Sequence, residues 1–397
     1  MALYETLPGH GAGPKLARPV ELICIALVIA QAVYLVTSFV DGIWLVRTDG
    51  GGVESDFITT WGAGRLALAG HVAAAYDWQT LKLIEENGVG HPFDGYFGWP
   101  YPPTFLFVAM LLALLPYVTA YALWIAATFP IYLVAIRTII GDRVGYLLAA
   151  AFPAVLSNLI IGQNGFLTAG LFGGTLALLE RQPTVAGALL GLLTVKPHLG
   201  LLFPVALAAS GRWRAFASAG VVALLLVGAS WFAFGSASWQ AFIAGLGHAS
   251  QAFLAKGTMD WSKLQTAFGL ARTLGGGETL AWTVQVILSL VTAVATAVLW
   301  RSRVSFEIKA AALGVGTVLA TPYIFIYDLT ILAVPLAFLF RLGRERGFLP
   351  YEPAGIGAAC LLILIFPIVK VPVGFAATLI IAALIARRAL AQLKLRS

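Results

Sequence analysis

The sequence predicts an all-α polytopic membrane protein, a single integral membrane domain over residues 1–397 with about twelve transmembrane helices. Two observations carry this. Of the residues 60% are hydrophobic and 11% charged, less than half the charge of a soluble globular chain, about 25%. No soluble domain of this length has interior enough to hide that much apolar surface. The apolar runs are also continuous, as at 21–36 and 361–385, whereas a membrane barrel alternates apolar and polar residues in segments of about ten.

The elements follow in chain order. A first span is expected near 20–46; its apolar run continues past residue 40 without an A-x-A-like site, so it reads as a retained span rather than a signal peptide. A hydrophilic stretch at 47–117 forms the first large loop, with a short amphipathic pattern around Trp61, Leu66 and Leu68 and an apolar run at 103–115. Spans are then expected near 118–138, 144–161, 165–180, 183–195, 197–210 and 213–234, the pair at 183–210 being short. After a second large loop at 235–277, further spans fall near 278–300, 305–321, 323–341, 354–370 and 372–391. Cys24 and Cys360 lie within apolar runs and read as inert core thiols, since one such pair makes neither a disulfide framework nor a zinc site.

Charge parity decides the status of 103–115. If that run does not cross, the connections at 139–143, 181–182, 211–214, 301–307, 341–352 and 387–397 share one face and hold most of the 25 Lys and Arg residues. The positive-inside rule puts that face in the cytoplasm. A crossing at 103–115 would split the basic residues between two faces, so the run is expected to be a juxtamembrane or re-entrant helix. The net charge of +7 is explained by this asymmetry, and with no solvated basic domain there is no case for nucleic acid.

On the opposite face the chain places Asp56 and three polar breaks: Gly162-Gln163-Asn164, Lys196-Pro197-His198, and Thr321-Pro322-Tyr323 leading to Tyr327-Asp328. An ionisable group at membrane depth costs a few kcal/mol and is a functional candidate by default. Each has a plainer reading. Asp56 also suits an N-cap with Thr59 at N3; Gln163-Asn164 also suits backbone satisfaction between hairpin helices; Lys196 also suits a snorkelling lysine.

The order of these motifs resembles the GT-C membrane glycosyltransferases. An aspartate in the first outer loop, the Tyr101-Pro102-Pro103 helix start, Gly162-Gln163, Lys196-Pro197 and a late proline turn ending at Asp328 are most similar to glycosyltransferase family 87, over roughly 50–340. That family includes the polyprenyl-phosphate-mannose-dependent mannosyltransferase of phosphatidylinositol mannoside synthesis. One departure concerns the acceptor and sugar: the mannosyltransferase carries a histidine pair where this chain has Tyr327-Asp328.

The resemblance implies a GT-C-like bundle in a bacterial inner (plasma) membrane, with its site on the periplasmic side. It implies a lipid-linked sugar phosphate as donor, a lipid or glycan acceptor, and membrane lipids as partners. The chemistry then asks for a general base, for which Asp56 is the choice, and for cations to meet the departing phosphate. Lys196 is the first candidate, with His198 and Arg65 behind it and Arg272 in reserve. Gln163, Asn164, Tyr101, Tyr327 and Asp328 are available to sugar and acceptor hydroxyls. Attack opposite the leaving phosphate inverts the anomeric centre. The chain has no D-x-D pair, and a single phosphate needs less neutralisation than a pyrophosphate, so no metal or other cofactor is expected. The competing reading is a transporter or flippase, whose broken helices also coordinate substrates at mid-membrane; against it, no half-to-half repeat stands out.

Overall fold

The computed structural model describes residues 16–255 and 260–394; residues 256–259 of the second loop lie outside the described part. Every regular element among the described residues is helical. α1 (Arg18–Val40) leads into the first loop, which carries α2 (Phe57–Leu68), α3 (Trp78–Val89) and α4 (Leu106–Ala113). There follow α5 (Tyr117–Ile140), α6 (Val144–Ala150), α7 (Ala154–Ile161), α8 (Gly165–Leu178), α9 (Pro183–Leu192), α10 (Leu202–Ala209) and α11 (Trp213–Ala249). The chain closes with α12 (Ala267–Thr273), α13 (Glu278–Arg301), α14 (Phe306–Leu319), α15 (Ala333–Arg346), α16 (Glu352–Val369) and α17 (Val373–Lys394).

Six of these helices, α1, α5, α11, α13, α16 and α17, are long and apolar enough to cross a membrane, and the pair α6 and α7, bent by 63°, would be a seventh if taken as one broken span. The expected dozen therefore includes several short elements. α8 and α14 have 14 residues each, about 21 Å at 1.5 Å per residue against an apolar layer of about 30 Å. α8 is buried along most of its length between neighbouring helices. Hydropathy alone does not separate such a protein-facing helix from a lipid-facing span.

Three boundaries also differ from expectation. The first span stops at Val40, capped by Asp41. The stretch expected to begin a span at 323 runs irregularly through Tyr327, turns as a 3-10 helix over Asp328–Leu332 and becomes α15 only at Ala333. α11 passes a non-helical Gly235 (φ 75°), so the first part of the second loop is helix.

The run at 103–115 forms a helix shorter than a span. A 3-10 turn, Pro103–Phe105, continues into α4, which packs on α2; Trp61 Nε1 donates to the Leu115 carbonyl at 2.8 Å from the α2 side. The two helices share an aromatic cluster with α5, including Phe57, Phe105, Tyr121 and Trp124.

The basic connections are tied together at the other end of the bundle. Arg341 donates to the Ile139 carbonyl at 3.4 Å and Arg344 pairs with Asp142. Arg388 donates to Glu352 at 2.7 Å and to the Gly347 carbonyl at 2.9 Å. Arg212 pairs with Glu180 at 3.1 Å, its guanidinium 5.1 Å from the centre of the Phe306 ring. Gln392 accepts from the Ser305 amide at 2.9 Å. All six connections are linked, which is what the parity argument requires of loops on a single face.

Candidate functional site

Two glycines shape the floor of the site. Gly162 ends α7 at φ +70°, and a Cβ there would meet the Tyr121 ring at 2.5 Å. This left-handed turn presents Gln163 away from the helix axis. At Gly165 a Cβ would meet both Asn158 amide atoms and the Tyr327 carbonyl at 2.5 Å. The first break therefore lies directly against the last one. Asn158 fastens them, donating from Nδ2 to the Tyr327 carbonyl at 2.7 Å and accepting from the Gly165 amide at 3.1 Å.

On this floor the separate polar motifs meet. Gln163 Nε2 donates to Asp56 Oδ2 at 3.1 Å, and Tyr101 donates its hydroxyl proton to Gln163 Oε1 at 2.7 Å. Asp56 occupies the N-cap position of α2 without a side-chain capping bond; Thr59 bonds its main-chain oxygen instead. The capping reading of Asp56 thus fails, and among the described residues its Oδ1 accepts no hydrogen bond. Burial lifts the Asp56 carboxyl above its ordinary value, against the pull of the Gln163 bond and the Lys196 and Lys263 charges. Burial also keeps the Tyr101 phenol neutral, well above its usual range.

Lys196 donates to Asn164 Oδ1 at 2.9 Å and to Asp328 Oδ1 at 2.5 Å. Its ammonium stands 5.2 Å from the centre of the Tyr327 ring. Asp328 Oδ2 accepts from the Phe325 amide at 3.1 Å, so both of its oxygens are engaged. The Lys196 and Asp328 side chains are 5% and 0% exposed, and snorkelling does not describe the lysine. Lys196, the leading phosphate cation of the sequence reading, already has its ammonium paired with Asp328. Asn164 Nδ2 and His198 Nε2 are buried without a hydrogen-bond partner.

These residues line or adjoin a cavity of about 950 Å³, at the upper end of small-ligand sites, about 300–1,000 Å³. Asp56, Tyr101, Gln163, Lys196, His198 and Tyr327 reach its wall, which continues through apolar Leu201, Leu246, Leu254 and Phe366. A wall that combines polar and apolar residues suits a ligand with a polar head and a hydrocarbon tail.

Two anticipated cations stand apart. Arg65 is exposed, lies over the Trp61 ring and does not line the cavity; nine residues along α2 from Asp56 is about 13 Å of helix. Arg272 sits 4.0 Å over the Trp261 ring and bonds the Gly276 and Ala255 carbonyls. The cavity wall instead includes Asp260, Lys263 and Lys370, which sequence reasoning passed over. One signal was present: Lys370 is the lone charge in the apolar run 361–385. No group of three or more His, Cys, Asp or Glu among the described residues is placed to hold a metal ion.

A family model described as Glycosyltransferase family 87 matches residues 99–322, more than half of the chain. The matched region contains Tyr101, Gln163, Asn164, Lys196 and His198; Asp56, Tyr327 and Asp328 lie outside it. No curated protein and no solved structure matches the chain.

Proposed function

This chain belongs to glycosyltransferase family 87, and we propose on that premise that it transfers a hexose such as mannose from a polyprenyl-phosphate donor to a lipid or glycan acceptor. The observation that carries this reading is the placement of Asp56. Its Oδ2 is held by Gln163 while Oδ1 stays open on a cavity whose wall is partly apolar.

The chemistry proceeds in one displacement. The acceptor hydroxyl gives its proton to Asp56 Oδ1 as its oxygen attacks the anomeric carbon, and the bond from that carbon to the phosphate oxygen breaks with inversion. A carboxylate lifted above its ordinary proton affinity is the stronger base. Gln163, itself aligned by Tyr101, fixes the carboxylate plane, and a fixed base contributes through orientation as well as proton affinity. Tyr327 on the cavity wall and Asn164 Nδ2, buried beside it without a partner, are the groups offered to sugar hydroxyls. The basic connections support a cytoplasmic face at their end of the bundle, and with it a cavity on the periplasmic side of a bacterial inner membrane. Transport, the other reading of the broken helices, is disfavoured by the family.

The experiment is transfer from a radiolabelled polyprenyl-phosphate mannose to a membrane lipid extract, by the purified chain in nanodiscs, with and without EDTA. Labelled glycolipid formed equally with the chelator supports the reading and its metal independence. Loss of transfer on chelation would overturn the metal-independent part, and no transfer from any prenyl-phosphate sugar would overturn the donor assignment.

A further inference from the structure

The pairing of Lys196 with Asp328 leaves the cavity without its expected cation. The wall still carries two lysines, Lys263 and Lys370, and among the described residues neither ammonium makes an ion pair or hydrogen bond. The turns that bear them belong to distant parts of the chain, and one buried side chain brackets them. Gln265, 0% exposed, donates its main-chain amide to the Ile324 carbonyl at 2.7 Å and accepts from the Gly374 amide at 2.8 Å through Oε1. Lys263 stands two residues before Gln265, and Lys370 four residues before Gly374. The bracket also joins both turns to the Pro322–Tyr327 break and so to the floor of the site.

Each turn is itself constrained. Asp260 caps the 3-10 turn Trp261–Lys263, accepting from the Ser262 amide at 2.9 Å. Lys370 closes α16 in the left-handed region, φ 43°. Asp260 is held below the usual carboxylate range first by the Ser262 bonds and then by Lys263 and Lys370, and Lys263 also acts on Asp56. The fields of both lysines therefore overlap at Asp260, and that of Lys263 reaches Asp56.

We propose that Lys263 and Lys370, bracketed by Gln265, form the seat for the phosphate of a lipid-linked ligand. This rests on the glycosyltransferase reading for its choice of donor. Lipid phosphate fits better than a soluble one because Lys370 ends one span-length helix and precedes another, with Phe366 and Pro367 of the same turn on the cavity wall. Flexible ammonium groups suit an incoming ligand and a departing product, since each follows the phosphate without a fixed fork geometry. Asp260, on which both lysines act, disfavours permanent capture by opposing a second negative charge.

The test is equilibrium binding of farnesyl phosphate to the full chain in uncharged nanodiscs, with farnesol and UDP as controls. Wild type is expected to bind farnesyl phosphate and neither control. Lys263→Gln and Lys370→Gln are each expected to weaken binding about tenfold, and together about a hundredfold. Lys263→Arg and Lys370→Arg, which keep the charge, should stay within a few-fold. Farnesyl phosphate binding unchanged in the double Gln variant would overturn the seat and reduce both lysines to snorkelling residues, leaving the glycosyltransferase reading intact if transfer persists. Binding of UDP but not farnesyl phosphate by wild type would overturn the seat and the lipid donor together. Lysine-dependent binding without transfer from any prenyl-phosphate sugar would support the seat and remove the donor assignment alone.

Discussion

Lys196 and Asp328 meet at 2.5 Å across 132 positions of sequence, and both side chains are buried. The pair joins the break between α9 and α10 to the irregular segment that precedes α15. Removing one member of a buried pair strands the other charge, whereas removing both often costs little. Lys196→Met is therefore expected to lower stability by about 3–5 kcal/mol, and Lys196→Met with Asp328→Leu to recover much of that. Thermal unfolding in detergent reads both variants. A Lys196→Met variant as stable as wild type would mean that the pair adds nothing.

Asp56→Asn keeps the oxygen that accepts from Gln163 and, because the Asp56 side chain caps nothing, leaves α2 undisturbed. It removes the proton acceptor. Turnover should fall about 10²–10⁴-fold with an unchanged unfolding temperature and unchanged farnesyl phosphate binding. Activity within a few-fold of wild type would rule out Asp56 as the base.

Glu85 on α3 is fully buried, and both its carboxyl oxygens lack a partner. Burial, with Asp56 and Glu86 adding to it and Lys82 opposing, pushes its pKa up to about 8 from an ordinary 4.5. Between these values the folded state binds a proton that the unfolded state has lost, so this group's contribution to stability falls as pH rises. Unfolding temperature should decline from pH 5 to pH 8 in wild type, and Glu85→Gln should flatten that decline. Parallel profiles for the two proteins would show that Glu85 does not carry the effect.

Gly165→Ala puts a methyl group where Asn158 and the Tyr327 carbonyl already stand. Since main chain cannot yield as a flexible side chain does, a loss of about 1–3 kcal/mol is expected. Displacing the Tyr327–Asp328 segment should reduce transfer as well. Gly174→Ala, whose Cβ would meet only a leucine methyl at 3.2 Å, serves as the control and should lose less on both measures.

Topology is tested by thiol labelling in a C24A/C360A background. Asp94→Cys, on the exposed part of the first loop, should react with an impermeant maleimide added to spheroplasts. Arg346→Cys, exposed among the basic connections, should react only after lysis. The reverse pattern would put the cavity on the cytoplasmic side.

Composition and continuous apolar runs determined the helical membrane class, because each is a property of a local window. Charge parity also determined which polar segments share an end: Asp56, Gln163, Lys196 and Asp328 were candidates before any contact was visible, and they do meet. Tertiary structure alone decided how. Whether an apolar helix faces lipid or protein depends on its neighbours, so the short buried α8 looked like a span. Whether a cation is available depends on what lies beside it in space, so Asp328 claimed Lys196 from 132 positions away. Helix length carried Arg65 out of reach of the cavity that Asp56 lines. The bracket from Gln265 to Gly374 joins two turns 109 positions apart, and no local pattern marks it, because a buried amide reveals its role only when both of its partners arrive.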